Sequence, residues 1–150
     1  MELINQRYQP IQMLGQGGFG SVFKVADQFE YGKILALKKI KTDVISKKAI
    51  KVFKHEFKFL ISLIHPNLVK VHDFDIDKDT EELFFTMEYI QGNSLYKSLK
   101  ESFSWEKVEN NLIQAARALS YIHSKDIIHY DIKPDNIFID DYGKLKLMDF

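Results

Sequence analysis

Hydrophobic and polar positions alternate over much of the first ninety residues, which is typical of half-buried β-strands. Segments rich in β-branched and aromatic residues are separated by turn-forming residues and by one acidic loop. The pattern predicts a strand-rich half with five strands, at Tyr8–Leu14, Ser21–Ala26, Lys33–Ile40, Leu68–Phe74 and Leu83–Glu88.

One long segment among these strands has helical spacing instead. Val44–Ile64 carries a mostly apolar stripe that recurs every three or four positions, which predicts a helix with one face against the sheet. The stripe consists of Ala49, Val52, Phe53, Glu56, Leu60 and Leu63.

The second half is predicted to be mainly helical. A short helix is expected at Ser94–Lys100 and a longer one at Trp105–His123, with Ser104 as its N-cap. A β-hairpin should follow, from Ile137–Ile139 to Lys144–Met148. The apolar face of the longer helix is predicted at Val108, Leu112, Ala116 and Leu119.

Composition excludes several classes of protein. The 150 residues carry 21 basic and 21 acidic side chains, so nothing predicts bulk attraction to nucleic acid or to an anionic membrane. The absence of cysteine excludes disulfides and thiolate zinc sites. No apolar run is long enough to span a bilayer, and no signal peptide is evident, so a cytoplasmic protein is expected.

A glycine-rich turn, Gly15–Gly20, joins the first two predicted strands. Such glycines also occur in dinucleotide-binding folds, where they open a helix, and in plain tight hairpins. Because the residues from Ser21 to Val25 favour a strand, the dinucleotide interpretation is disfavoured. We favour a turn that covers the phosphates of a nucleotide over a plain hairpin, because backbone amides can approach phosphate oxygens where glycine has no Cβ.

Two neighbouring lysines in the third strand are candidates for binding phosphate. Strand alternation puts Lys38 on the same face as the small Ala36, and Lys39 on the face of Leu35 and Leu37. Lys38 is therefore selected, with Glu56 as its ion-pair partner, because a carboxylate on an apolar stripe needs a cation. The alternative is that both lysines are solvated surface charges.

The most specific motif is His129–Asn136, with Asp149 after it. Asp131 would orient a substrate hydroxyl and Lys133 would neutralise charge on the transferred phosphoryl group. Asn136 and Asp149 would supply oxygen ligands to Mg²⁺.

Together these motifs resemble a protein kinase catalytic domain of the serine/threonine type, from about Tyr8 to Phe150, ending inside a D-F-G motif. The resemblance implies an α+β fold with a five-stranded antiparallel small lobe carrying one long helix, and the first part of a helical large lobe. Residues 1–7 would be an N-terminal extension, 8–90 the small lobe and 91–150 the start of the large lobe. Lys133 followed by Pro134 favours protein serine and threonine over tyrosine or small-molecule substrates.

The resemblance also implies a nucleotide site for ATP with Mg²⁺. Met87 would be the gatekeeper, and the Glu88 carbonyl and the Ile90 backbone would bind the adenine edge. The implied set consists of Leu14, Gly15, Gln16, Gly17, Gly18, Phe19, Gly20, Val22, Ala36, Lys38, Glu56, Met87, Glu88, Ile90 and Phe138. His129 is expected to be a buried packing residue.

Two features depart from the family pattern. Tyr130 replaces the arginine that usually precedes the catalytic aspartate, so activation through a phosphorylated loop paired with that arginine is not expected. The chain also ends at Phe150, so the remainder of the domain is expected in a parent chain, and residues 1–150 alone are expected not to phosphorylate a protein. The alternatives are a non-catalytic nucleotide-binding or regulatory fragment and, less favoured, a small-molecule phosphotransferase.

Overall fold

A computed structural model describes residues 2–18, 20–40 and 57–148, and the chain forms two compact units. The first unit combines Met1–Ser62 with Val71–Tyr89, and the second combines Leu63–Lys70 with Ile90–Phe150. The division into lobes at residue 90 stays a prediction. In the described part of the chain, no helix has both the length and the apolar character needed to cross a membrane.

A five-stranded sheet forms the body of the first unit, as predicted. Its order is β1-β2-β3-β5-β4, and every neighbouring pair is antiparallel. The strands are β1 (Tyr8–Gly17), β2 (Gly20–Asp27), β3 (Lys33–Ile40), β4 (Val71–Ile76) and β5 (Leu83–Glu88).

The predicted fourth strand, Leu68–Phe74, is displaced along the chain, because β4 begins only at Val71. Leu68 and Val69 are buried in the second unit, where the Val69 N–H donates to the Leu147 carbonyl at 2.9 Å. An apolar run that looks like the start of a strand therefore supplies core to a different unit.

One face of the large sheet packs on the N-terminal turn. The Ile4 N–H donates to the Tyr8 carbonyl at 2.9 Å, and the Tyr8 N–H returns a 3.0 Å bond to the Ile4 carbonyl. This turn buries Ile4 against the sheet. The Tyr8 ring meets Phe84 edge-on, with centroids 5.7 Å apart. The cluster consists of Ile4, Tyr8, Val25, Leu35, Leu37 and Phe84.

An ion-pair network ties this turn to the sheet. Arg7 donates two hydrogen bonds to the fully buried carboxylate of Asp27, at 2.9 and 2.7 Å, and a third to Asp73 at 3.0 Å. The Phe29 N–H also donates to Asp27 at 3.0 Å. The hydrogen bonds from Arg7 lower the pKa of Asp27, against the effect of burial.

The described residues 57–62 are helical and are labelled α1. Phe57 packs its ring on Phe74 and Phe85, with centroids 4.8 and 5.3 Å away, on the sheet face opposite to Tyr8. The predicted helix Val44–Ile64 is thus described only near its end, and its earlier part, with Glu56, lies outside the described residues.

The second unit contains a three-stranded antiparallel sheet of β6 (Gly92–Ser94), β7 (Ile137–Asp140) and β8 (Leu145–Leu147). The helices are α2 (Leu95–Glu101) and α3 (Trp105–His123). The predicted cap is confirmed, because the Ser104 hydroxyl accepts a 3.2 Å bond from the Lys107 N–H. The short polar strand β6 was not predicted. It needs glycine, since a Cβ on Gly92 would lie 2.0 Å from the Ile139 carbonyl oxygen.

The predicted apolar face of α3 is partly exposed, and the helix buries other residues. The buried residues are Asn111, Ala118 and Ile122, whereas Leu112 is 65% exposed. Hydrogen bonds of Gln114 account for this burial. Its side-chain oxygen accepts one from the Asn67 amide at 2.8 Å and one from the Leu145 N–H at 2.9 Å. These hydrogen bonds fix which face of α3 meets β8, and apolar periodicity alone does not reveal them.

Candidate functional site

The glycine turn lies at the tip of the β1–β2 hairpin, where Gly17 pairs with Gly20. A strand follows it, as predicted, so the turn does not open a helix. Gly20 has a φ of +144°, and a Cβ there would lie 1.8 Å from the Lys39 carbonyl oxygen. At Gly15, Gly17 and Gly18 a Cβ would meet no atom of the described residues within 4 Å. Gly20 is therefore required by strand packing, whereas the other three border open space.

The implied residues of the first unit share one face of the sheet. Val22 pairs with Lys38, and Ala36 pairs with Met87, so these side chains lie on the same side. Ala36 and Met87 are buried, and the Lys38 Nζ lies 5.9 Å from the centroid of the Phe85 ring. This face places a lysine beside small and apolar side chains.

Lys39 lies on the opposite face and has a different environment. Its Nζ donates to Asp77 at 2.6 Å and to Glu82 at 3.2 Å. Burial alone would raise the pKa of the Asp77 carboxyl, but hydrogen bonds from Lys39, the Asp79 N–H and Thr80 lower it. The ion pairs of Lys39 with Asp77 and Glu82 thus stabilise the β4–β5 loop.

Other implied nucleotide-site residues lie within strands or next to them. Leu14 is 41% exposed on β1, and Gln16 pairs with Ser21. Glu88 ends β5 in the first unit, whereas Ile90 and Phe138 belong to the second unit, where Phe138 pairs with Ser94.

Next to the predicted hinge, the Lys24 Nζ lies 4.3 Å from the centroid of the Tyr89 ring. This cation–π contact joins β2 to the residue after β5. Sequence inspection missed it, because cross-strand register is needed to bring the two residues together.

Three predicted site residues come together in the catalytic loop. The Asp131 Oδ2 accepts a 2.7 Å bond from the Lys133 Nζ and a 2.8 Å bond from the Asn136 amide. The same amide donates to the Asp131 carbonyl at 2.9 Å. In the described part of the chain, the Asp131 Oδ1 accepts no hydrogen bond. The carboxylate therefore has one fixed oxygen and one available oxygen.

The charge of Asp131 follows from these contacts. The hydrogen bond from Lys133, followed by that from Asn136, lowers the pKa of Asp131. The side chain is 55% exposed and stays ionised at neutral pH. It can accept a hydrogen bond from an incoming hydroxyl, which is the orienting role rather than that of a strong base.

Contacts with His129 and Met148 hold the loop that carries Asp131 and Asn136 in place. His129 is buried, as expected, and its Nε2 lies 2.8 Å from the Met148 carbonyl oxygen. The Asp131 N–H donates to the His129 carbonyl at 2.9 Å, and the Met148 N–H donates to the Asn136 carbonyl at 2.9 Å. Met148 was not predicted as a support residue, because only its backbone takes part. Between these contacts Tyr130 has a φ of +61° and an 88% exposed side chain.

The predicted metal ligands are partly described. Asn136 is buried, and its Oδ1 accepts no hydrogen bond from the described residues, so an amide oxygen is available of the kind that Mg²⁺ prefers. Within residues 2–18, 20–40 and 57–148, no three His, Asp or Glu side chains cluster as a metal site. Asp149, Glu56 and Phe19 lie outside the described residues, so their roles stay predictions.

Comparison with known proteins places this geometry in a family. The protein kinase domain model matches residues 8–150. Mitogen-activated protein kinase kinase kinase 3 of Arabidopsis thaliana is 35% identical over 144 residues, which is 93% of this chain and 23% of the relative. Serine/threonine-protein kinase PknD of Chlamydia muridarum is 36% identical over 159 residues, which is 97% of this chain and 17% of the relative.

Among solved structures, the crystal structure of Rad53 1-466 in complex with AMP-PNP matches with a TM-score of 0.81 and 32% identity. The match covers 97% of this chain and 38% of that chain. The chain thus spans less than a quarter of the length of the two curated relatives. The fold, the family model and these relatives agree, and the chain belongs to the protein kinase domain family.

Proposed function

We propose that this chain binds ATP with Mg²⁺ and carries the catalytic loop that transfers the γ-phosphoryl group to a serine or threonine hydroxyl of a protein. The observation that carries the proposal is the Asp131 carboxylate, because Lys133 and Asn136 hold its Oδ2 while its Oδ1 accepts no hydrogen bond from the described residues. The complex of the similar Rad53 with AMP-PNP supports ATP as the nucleotide.

In the proposed reaction, Asp131 accepts a hydrogen bond from the substrate hydroxyl and orients its oxygen for in-line attack on the γ-phosphorus. A new oxygen–phosphorus bond forms, the bond to the β–γ bridging oxygen breaks, and ADP leaves. The hydroxyl proton passes toward Asp131. Lys133, whose Nζ lies 2.7 Å from Asp131, neutralises charge on the transferred group.

The remaining roles are proposed from the family pattern. The amides of Gly15–Gly20 cover the phosphates, Lys38 pairs with them, and the backbones of Glu88 and Ile90 bind adenine. Val22, Ala36, Met87 and Phe138, with Leu14, line the adenine pocket. Asn136 and Asp149 would hold Mg²⁺, which when bound neutralises phosphate charge.

We propose residues 1–7 as an N-terminal extension, 8–90 as the small lobe and 91–150 as the start of the large lobe, in a cytoplasmic protein. The alternative of a non-catalytic nucleotide-binding module is less favoured, because the hydrogen-bonded group of Asp131, Lys133 and Asn136 has no use in binding adenine. A small-molecule phosphotransferase is disfavoured by the protein kinase relatives.

Calorimetric titration with ATP, with and without Mg²⁺, tests the nucleotide part of the proposal. Wild-type protein should bind Mg-ATP at least about tenfold more tightly than Asp149→Ala, because the variant lacks one oxygen ligand for the metal. Without Mg²⁺ the two proteins should bind ATP alike. Equal affinity of both proteins for Mg-ATP would remove Asp149 from the site.

A further inference from the structure

The side chains of Lys24 and Tyr89 meet at the end of β5, and neither has a role in the proposed nucleotide site. The Lys24 Nζ lies 4.3 Å from the centroid of the Tyr89 ring, which is within the range of a cation–π interaction. Among the described residues, the Lys24 ammonium has no ion pair and no hydrogen bond. In this part of the chain, the Tyr89 ring is therefore the group that holds the ammonium in place.

The register of the large sheet places Lys24 on the face proposed for the nucleotide. Lys24 pairs with Ala36, and Ala36 pairs in turn with Met87, so the three side chains lie in one row across β2, β3 and β5. Ala36 and Met87 are buried, and Lys24 is half-buried. A charged group beside two proposed adenine-pocket residues needs a partner, because partial burial weakens its hydration. The Tyr89 ring supplies that partner.

The contact joins two strands that are not neighbours, because β3 lies between β2 and β5 in the sheet. Neighbouring strands are about 4.8 Å apart, so the backbones of β2 and β5 are about 10 Å apart, and only two long side chains can meet across that distance. The small side chain of Ala36 lies between them and leaves the space above β3 open. A lysine that was merely solvated would instead extend into water, as most strand lysines do.

Tyr89 occupies a decisive position in the chain. It follows Glu88, the last residue of β5, and it directly precedes Ile90. The Glu88 carbonyl and the Ile90 backbone are the groups proposed to bind the adenine edge. Because Tyr89 is the residue between them, holding its ring against Lys24 restricts the backbone torsions on both sides of it.

We propose that Lys24 and Tyr89 are positioning residues for adenine, and that their cation–π contact holds the backbone after β5 in its adenine-binding conformation. This inference rests on the proposed function, because it acts through the backbone groups that are proposed to bind adenine. Without the contact, this backbone has to be ordered when the nucleotide binds, and that ordering lowers the affinity. The binding of the phosphates and the catalytic loop do not depend on the contact.

Titration of the protein as it is naturally expressed with Mg-ATP, with adenosine and with Mg-tripolyphosphate, which has no base, tests the proposal. Lys24→Met and Tyr89→Leu should each weaken the binding of ATP and of adenosine about fivefold, the effect of losing a half-buried cation–π contact. Neither substitution should change the affinity for tripolyphosphate. In phosphoryl transfer, the KM for ATP should rise by the same factor while kcat stays unchanged, because the lost interaction contributes equally to the ground state and the transition state.

Conservative variants provide the controls. Lys24→Arg keeps the cation and Tyr89→Phe keeps the ring, so both should bind ATP and adenosine with wild-type affinity. The double variant with Lys24→Met and Tyr89→Leu should bind no more weakly than either single variant, because each one alone already removes the contact. Lys33→Met removes an exposed lysine from β3 and should leave all three affinities unchanged.

The outcomes separate this inference from the proposed function. Wild-type adenosine affinity in Lys24→Met would overturn the inference and leave the proposed function intact. An equal loss of tripolyphosphate affinity would also overturn it, because that result indicates a general loosening of the first unit. If the wild-type protein binds neither ATP nor adenosine, the proposed function is wrong and the inference is wrong with it.

Discussion

At the residue scale, the Asp131 carboxylate combines two properties that phosphoryl transfer requires. Hydrogen bonds from Lys133 and Asn136 fix its Oδ2 and keep the group ionised, while its Oδ1 accepts no hydrogen bond from the described residues. A fixed acceptor of this kind contributes by positioning the nucleophile, with little chemistry of its own.

The neighbouring lysines Lys38 and Lys39 should respond differently to substitution. Lys39→Met leaves the buried Asp77 without its cation and should lower the free energy of unfolding by about 3 kcal/mol. Nucleotide affinity of the folded protein should not change. Lys38→Met should instead weaken ATP binding at least about tenfold, because Lys38 is the proposed phosphate partner. Urea unfolding and ATP titration of both variants measure the difference.

Adding Asp77→Asn to Lys39→Met provides the control, because it removes the orphaned charge. The double variant should recover part of the lost stability. If Lys39→Met weakened ATP binding while Lys38→Met did not, the assignment of the two lysines would be reversed.

The sequence was sufficient to predict site residues whose role follows from their spacing along the chain. Strand alternation separated Lys38 from Lys39, and the register of the sheet agrees. Asn67 and Gln114 were not predicted, since polar residues in a helix or loop are usually exposed. Their importance depends on tertiary contacts that local spacing does not encode.

At the element scale, the glycines of the β1–β2 hairpin divide into two kinds. Gly20→Ala would force a Cβ against the Lys39 carbonyl at a φ of +144°, and should cost about 3 kcal/mol of unfolding free energy. The added Cβ of Gly17→Ala meets no atom within 4 Å in the part of the chain that the structure describes, and the change in stability should be less than about 0.5 kcal/mol.

Chemical denaturation of these two variants measures the difference. Gly17→Ala should also weaken ATP binding without loss of stability, because the space beside Gly17 is proposed for phosphate. Equal stability of the Gly20→Ala and Gly17→Ala proteins would contradict the packing role of Gly20.

Element boundaries were predictable where turn chemistry marks them. β3, β5 and α3 begin and end at the predicted residues, since turns or a capping serine bound them. The predicted start of β4 was wrong, because the apolar residues Leu68 and Val69 pack in the core of the second unit and not in the sheet of the first. The face of α3 that packs on β8 was not predicted, because Gln114 sets it through hydrogen bonds.

At the scale of the whole molecule, each unit has a buried core of its own. The first unit also depends on the Arg7–Asp27 pair, in which the carboxylate is fully buried. Because the pKa of Asp27 is lower in the folded state, its contribution is complete above the unfolded value of about 3.9 and disappears as the pH falls through the folded value.

Asp27→Asn should therefore lower the free energy of unfolding by about 3 kcal/mol at pH 7, and the difference from wild type should shrink below about pH 4. Urea midpoints across this range measure it. Asp126→Asn, at an exposed position with a left-handed φ of +59°, is the control and should be neutral. A difference that stays constant down to pH 2 would contradict the role of the ionised pair.

The most direct test of the account is transfer of radiolabelled γ-phosphate from ATP to a generic basic protein, measured with the protein as it is naturally expressed. Asp131→Asn should lower the transfer rate at least about 100-fold, because the positioned acceptor for the hydroxyl proton is lost. Asp135→Asn, at an exposed position in the same loop, should stay within about twofold of wild type. Transfer at the wild-type rate by Asp131→Asn would contradict the central claim that this carboxylate orients the substrate hydroxyl.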